Sequence, residues 1–358
     1  MRGQRYSRRR LIQSGAALAA GSLAFPLAGG FARAAGQLVI TDQGGSSQKA
    51  NIDAFYTPFE TATGTKIIYS ARPNLSMGQL KAMVQANHVE WDVTVLSDYL
   101  IGAAVKQGLL DKIDYSGFDK KTLGELVKGS VDPYYLGLDS YATVMGYNTK
   151  KWKGNAAPKT WADFWDVKRF PGTRSMIGFG YGPMEAALLA DGVPPDKLYP
   201  IDVNRALKKL DEIKPNVTVW TSSSAQQTQL MQNQEVDLIH GFANRMRAAI
   251  DTGAPYEVQW NQGSYQFEAW VVPKGAPNRD LAMKFLASTI NPQSEATMLK
   301  TQDVGCINPK AYALIPAERA KTLPTYPDNV KHMWRVNAAW VGEHLDELTA
   351  AWTKWKTG

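Results

Sequence analysis

Apolar positions along the chain alternate between two periods, two residues and about 3.6, and the order of those periods predicts the fold. Leu38-Val39-Ile40-Thr41 reads as a strand. After Gly44-Gly45-Ser46-Ser47 a helical pattern carries Ile52, Phe55, Tyr56 and Phe59 on one side. The strand Lys66 to Tyr69 leads to a helix marked by Leu80, Met83 and Val84, and the strand Trp91 to Leu96 feeds a helix from Asp98. An extended apolar stretch, Ala142 to Asn148, interrupts the series before a second one begins. It holds a strand near Met176, helices near Met184–Leu189 and Val203–Ile213, and a strand at Val217–Trp220. A helix near Ala225–Gln232, a strand at Val236–His240 and a helix from Asn244 to Asp251 follow. A second extended run, Phe267 to Val272, precedes an almost wholly helical C-terminal part ending near Trp355.

Strand-then-helix order of this kind predicts an α/β fold with mainly parallel, doubly wound sheets, and two such series predict two lobes. The expected division is residues 36–139 for the first part of lobe one, 140–271 for lobe two, and 272–358 for the completion of lobe one with C-terminal helices. The two extended runs are the expected crossings between lobes. In open sheets of this type ligands sit beyond the strand carboxyl ends, beside helix N-termini. Gly45, Ser46, Ser97 and Tyr99 fall at such places.

The first 35 residues follow a different logic. Ser7-Arg8-Arg9-Arg10-Leu11-Ile12 is a twin-arginine core. A weakly apolar Ala/Gly-rich run reaches Phe31, and Ala32-Arg33-Ala34 offers a small-x-small cleavage pattern. Gly15, Gly21, Pro26, Gly29 and Gly30 make that run a poor permanent membrane helix. The expectation is export by the twin-arginine pathway, cleavage near Ala34 and a periplasmic working place. Six of the 40 Lys and Arg residues (Arg2, Arg5, Arg8, Arg9, Arg10 and Arg33) lie in this segment, which holds no acid. Without them 34 cations face 33 acids, a formal charge of +1, so the apparent basicity argues nothing for nucleic-acid binding. Cys306 is the only cysteine, which excludes an intrachain disulfide.

The familiar catalytic patterns are missing. His88, His240, His332 and His344 lack the paired spacing of a zinc site. No Gly-x-Ser-x-Gly, Walker A or dinucleotide fingerprint stands at a strand-to-helix turn. The pair Tyr134-Tyr135 reads as structural rather than as a ferric site, and Cys306 as a small buried hydrophobe. No cofactor and no metal is expected, and an exported enzyme on the same scaffold is the competing class.

Several segments, in their order, carry a family likeness: Gly146-Tyr147-Asn148, Pro158-Lys159-Thr160-Trp161-Ala162-Asp163-Phe164-Trp165-Asp166, Glu235-Val236-Asp237-Leu238 and Val272-Pro273-Lys274-Gly275-Ala276-Pro277-Asn278. The chain resembles the periplasmic solute-binding proteins of ABC transporters, in the spermidine/putrescine-binding branch. The resemblance implies a type II two-lobed binding protein that closes on its ligand by a hinge. It implies a monomer, delivery to an inner-membrane ABC permease, and a cleft of aromatic residues with acids for an ammonium group. Carried over by position, the acid before the second crossing falls on Glu268, the aromatic after the Val-Asp-Leu strand on Phe242, and a second-lobe acid on Glu185. Two family features are absent, since Gln266 stands for a Trp and Gly182 for an acid. Arg245, beside Phe242, resembles the arrangement in relatives that bind γ-aminobutyrate-like or opine-like ligands.

A planar guanidinium suits a carboxylate and Glu268 suits an ammonium, so the pair is complementary to a zwitterion. Trp220 would supply apolar contact, and Ser222 stands before a helix whose free N–H groups suit a carboxylate. The expected ligand is therefore a small amine-bearing solute such as a zwitterionic ω-amino acid, with a polyamine as the alternative.

Overall fold

The computed structural model describes residues 36–71 and 77–358. The targeting segment read from residues 1–35 lies outside the described residues. Among the described residues eleven strands form in chain order: β1 (Gln37–Asp42), β2 (Lys66–Ala71), β3 (Val93–Ser97), β4 (Leu110–Asp111), β5 (Val131–Asp132), β6 (Tyr135–Asn148), β7 (Arg174–Ile177), β8 (Val217–Thr221), β9 (Leu238–Phe242), β10 (Tyr256–Pro273) and β11 (Trp334–Arg335).

One hydrogen-bonded path, β2-β1-β3-β10-β6-β9-β7-β8, runs through all the larger strands. At one end β1 pairs in parallel with β2 and β3, and at the other β7 pairs in parallel with β8 and β9. Between them β6 and β10 lie antiparallel to each other. β10 is also antiparallel to β3, near its end, and β6 to β9, near its own. The two crossings are thus long strands of 14 and 18 residues that belong to both lobes. The lobe sheets are joined edge to edge through them. Their pairing loses register between Gln259 and Ser264 and again between Glu268 and Ala269.

Each lobe has its own core. Leu38, Ile40, Phe55, Phe59, Trp270 and Phe285 are among the buried side chains of the first. Phe164, Phe170, Met176, Met184 and Leu210 belong to the second. Burial of that much aliphatic and aromatic surface stabilises the chain without any disulfide.

The C-terminal helix, Ala338–Thr357, packs against both lobes. Its Val341, Leu348 and Trp352 side chains enter the second lobe's core. Its first turns also back onto the lobe-one helix Asp98–Lys106, so closely that a side chain at Gly342 would overlap the Tyr99 carbonyl. The chain therefore passes between lobes a third time, at Trp334–Asn337, where β11 pairs with β10. No helix among the described residues is long and apolar enough to cross a membrane.

Candidate functional site

The floor of the site is one face of the crossing strands. Ser264, Gln266 and Glu268 alternate along β10, so they share a face. Their cross-strand partners are Thr143, Tyr141 and, on β3, Ser97. Thr143 in turn pairs with Phe242 on β9. Above this floor lies a cavity of about 180 Å³, walled by Tyr99 from lobe one, by Phe179, Tyr181, Glu185 and Phe242 from lobe two, and by Leu345 of the C-terminal helix. Tyr99 meets Tyr181 edge-on at 6.4 Å, and Phe242 meets Tyr141 at 6.1 Å and Phe179 at 6.5 Å. Electron-rich ring faces around a small space suit an alkyl chain with an ammonium end.

Ser97 occupies the N-cap of the helix Asp98–Lys106 but makes no capping bond. Its hydroxyl reaches both oxygens of Glu268 instead, at 2.9 and 3.1 Å. Burial, and after it the Glu268 carboxylate, raises the Tyr99 phenol, which places that negative charge beside the aromatic wall. The neighbouring Asp98 is buried and pushed up to about 6 by that burial. It accepts from the Phe267 N–H at 3.3 Å and faces Arg335 at 3.5 Å, so it secures β10 and β11 to the helix.

Glu185 enters from the helix Gly182–Ala190, which Pro183 starts at a position where a missing N–H costs nothing. The side chain is buried, which raises its carboxyl to about 8, and it accepts the Tyr199 hydroxyl. Gln266, at the position of the missing family Trp, accepts the Tyr181 hydroxyl at 2.6 Å and braces the aromatic wall. A narrow niche of about 10 Å³ adjoins the cavity, sharing Thr143, Gly182, Glu185 and Ser264 with it.

Of the residues read from the sequence, Tyr99, Glu185 and Phe242 line the cavity. Ser97 and Glu268 pair with each other beside Tyr99, just outside that lining, and the others also lie outside it. Trp220 is held by the C-terminal helix, against Trp352 and Trp355 at 5.5 Å each. Ser222 is exposed, its N–H donating to Gln226 at 2.8 Å in a local turn. Gly45 and Ser46 are exposed at the start of the helix Gly45–Asn51. Arg245 is exposed near the start of the helix Ala243–Asp251, directly after Phe242, and its guanidinium has no hydrogen bond or ion pair among the described residues. Tyr141, Thr143, Phe179, Tyr181 and Leu345 were not anticipated.

Among the described residues no group of three or more His, Cys, Asp or Glu side chains could hold a metal ion. Tyr135 is used structurally: its hydroxyl donates to the Gly129 carbonyl, and Arg335 donates to it at 2.9 Å. Cys306 is buried, and that burial raises its thiol well above the ordinary range.

Two α/β lobes bridged by strands, with an aromatic cavity on the bridging face, define a two-lobed solute-binding protein. Residues 54–327 match the family model of bacterial extracellular solute-binding proteins, and the chain belongs to that family. It is 32% identical over 323 residues to the gamma-aminobutyric acid-binding protein of Pseudomonas aeruginosa, covering 89% of this chain and 90% of that one. The solved structure of a GABA receptor superposes with a TM-score of 0.80 at 35% identity, covering 89% of this chain and 97% of the other. The spermidine/putrescine-binding periplasmic protein of Escherichia coli is 25% identical over 285 residues, covering 75% of this chain and 78% of that one. The chain is a substrate-binding protein of the ABC-importer type, with a small-molecule ligand and a membrane permease as partners, and its spermidine/putrescine-binding relative is periplasmic.

Proposed function

We propose that the protein captures a zwitterionic ω-amino acid of the γ-aminobutyrate type and hands it to its permease. The observation that carries this reading is Glu268, held by Ser97 beside the Tyr99 wall of an aromatic cavity, with the unpaired Arg245 on the helix that follows Phe242. Glu268 takes the ammonium and Arg245 the carboxylate as the lobes close. The similarity to two γ-aminobutyrate binders, at 32% and 35% identity, supports a zwitterion over a diamine. Binding without chemical change, export by the twin-arginine route and action as a monomer complete the proposal.

A polyamine is the second reading. The observation favouring it is the second carboxyl, Glu185, in the same cavity as the aromatic rings. Calorimetry with γ-aminobutyrate and putrescine on Arg245→Ala and Glu268→Gln separates the two. Arg245→Ala is expected to abolish γ-aminobutyrate binding and spare putrescine, whereas Glu268→Gln weakens both. Wild-type protein that binds only putrescine, with Arg245→Ala unchanged, overturns the zwitterion reading.

A further inference from the structure

His240 lies on β9, two residues before Phe242, and is buried with 1% exposure. Its ring packs edge-on against Trp161 at 5.1 Å. The Ile177 backbone N–H donates to Nδ1 at 3.4 Å. A nitrogen that accepts carries no proton, so the neutral imidazole has its hydrogen on Nε2. Burial pushes the imidazole down to about 3, which keeps it neutral at any physiological pH.

Nε2 has no hydrogen-bond partner among the described residues. Its ring edge faces Gly182, where an added side-chain carbon would lie 3.6 Å from Cε1 and 3.8 Å from Nε2. Because Gly182 has no side chain, that edge stays open to the niche shared by Thr143, Glu185 and Ser264. A niche of about 10 Å³ accommodates one oxygen-sized group. Its other ionisable group, Glu185, already receives the Tyr199 hydroxyl and is held neutral by burial. A buried N–H facing such a space is costly unless it meets an acceptor.

We propose that His240 is a specificity-determining residue, whose Nε2–H donates to an acceptor oxygen at the inner end of the bound solute and turns away an ammonium group there. The inference rests on the ω-amino acid reading and deepens it, by naming what distinguishes a carboxylate end from a second amine. An N–H opposite an acceptor gains a hydrogen bond, and the same N–H opposite an ammonium leaves two donors face to face.

The test is the ratio of γ-aminobutyrate to putrescine affinity in wild type, His240→Leu and His240→Gln, with histidine ¹⁵N spectra of the wild type. His240→Leu removes the donor, and the ratio is expected to fall about tenfold or more. His240→Gln keeps an N–H donor and is expected to retain most of the preference. In the wild type, the protonated nitrogen of His240 should be Nε2, and its resonance should move when γ-aminobutyrate is added. A wild type that prefers γ-aminobutyrate, with an unchanged ratio in a folded His240→Leu, overturns this inference and leaves the functional reading intact. A proton found on Nδ1 likewise overturns it, even if the variants fail to fold. A wild type that prefers putrescine overturns both.

Discussion

The Ser97 hydroxyl lies 2.9 and 3.1 Å from the two carboxylate oxygens of Glu268, across the pairing of β3 with β10. This contact fixes an acid of a crossing strand against lobe one, ahead of any ligand. A carboxylate already oriented loses less freedom on meeting an ammonium than a mobile one. Ser97→Ala is therefore expected to weaken γ-aminobutyrate binding by about 1 kcal/mol, the ordinary net value of one hydrogen bond. The melting temperature should barely change, since Ser97 makes no capping bond to lose. Calorimetry and thermal unfolding on the same variant check this. A large fall in melting temperature with unchanged affinity would mark Ser97 as structural.

Glu185 gives stability a pH dependence of definite sign. Burial raises its carboxyl from an ordinary 4.5 to about 8, so the folded chain holds this proton more tightly than the unfolded chain. The stabilisation is fully present below about 4.5 and is lost as pH rises through about 8. Glu295, also buried and raised to about 8, slopes the same way, as do Asp139 at about 7 and Asp98 at about 6. Melting temperature should decline between pH 5 and pH 8, and Glu185→Gln should flatten part of that decline. An identical decline in the variant would show that Glu185 does not hold the proton.

Much of this was legible in the sequence because local periodicity and local chemistry agree. Val93, Val95 and Leu96 read as a buried strand and form one, β3, while Ser97 and Tyr99 fall at its carboxyl end, where parallel sheets place ligands. The length of β10 was not legible, because Tyr256 to Gln266 mixes polar and aromatic residues without a clean period. Tyr141 and Thr143 carried a usable signal. They alternate with Ala142 and Val144, which pack into a buried cluster, so the period of two assigns them to the opposite face. Trp220 had none, since its neighbours Trp352 and Trp355 come from the far end of the chain. Leu345 reaches the cavity for the same reason, through a helix whose docking depends on tertiary packing alone.

Gly342 is where that docking is closest. A methyl group there would overlap the Tyr99 carbonyl oxygen, which is backbone and cannot swing aside. Gly342→Ala is expected to cost about 1–3 kcal/mol through overpacking. It should also move Tyr99 relative to the cavity and weaken γ-aminobutyrate binding. Leu348→Ala, further along the helix in the second lobe's core, serves as the control. It should destabilise by about 2–5 kcal/mol with a smaller effect on affinity at temperatures where it is folded. Equal affinity losses in the two variants would show that the Gly342 contact does not position Tyr99.

Hinge closure should centre on β6 and β10 between the two breaks in their pairing, the first of which, between Gln259 and Ser264, adjoins lobe two. Gln262 in that break has a left-handed φ of 61°, and it is tied to lobe two and to the third crossing by Trp161 and Trp334. The Trp161 indole donates to the Gln262 carbonyl at 2.9 Å and the Trp334 indole donates to the same oxygen at 3.3 Å. A strand interrupted in this way bends at lower cost than one with a continuous ladder. Small-angle scattering should show a smaller radius of gyration with saturating γ-aminobutyrate than without ligand. Trp161→Phe keeps an aromatic ring and the backbone bond to Gln262 but removes the indole donor, so it should loosen the Gln262 anchor. The expected result is a larger ligand-free radius and weaker binding, because more of the free population is open and closure must pull against it. An unchanged radius on adding ligand to the wild type would count against closure of the lobes.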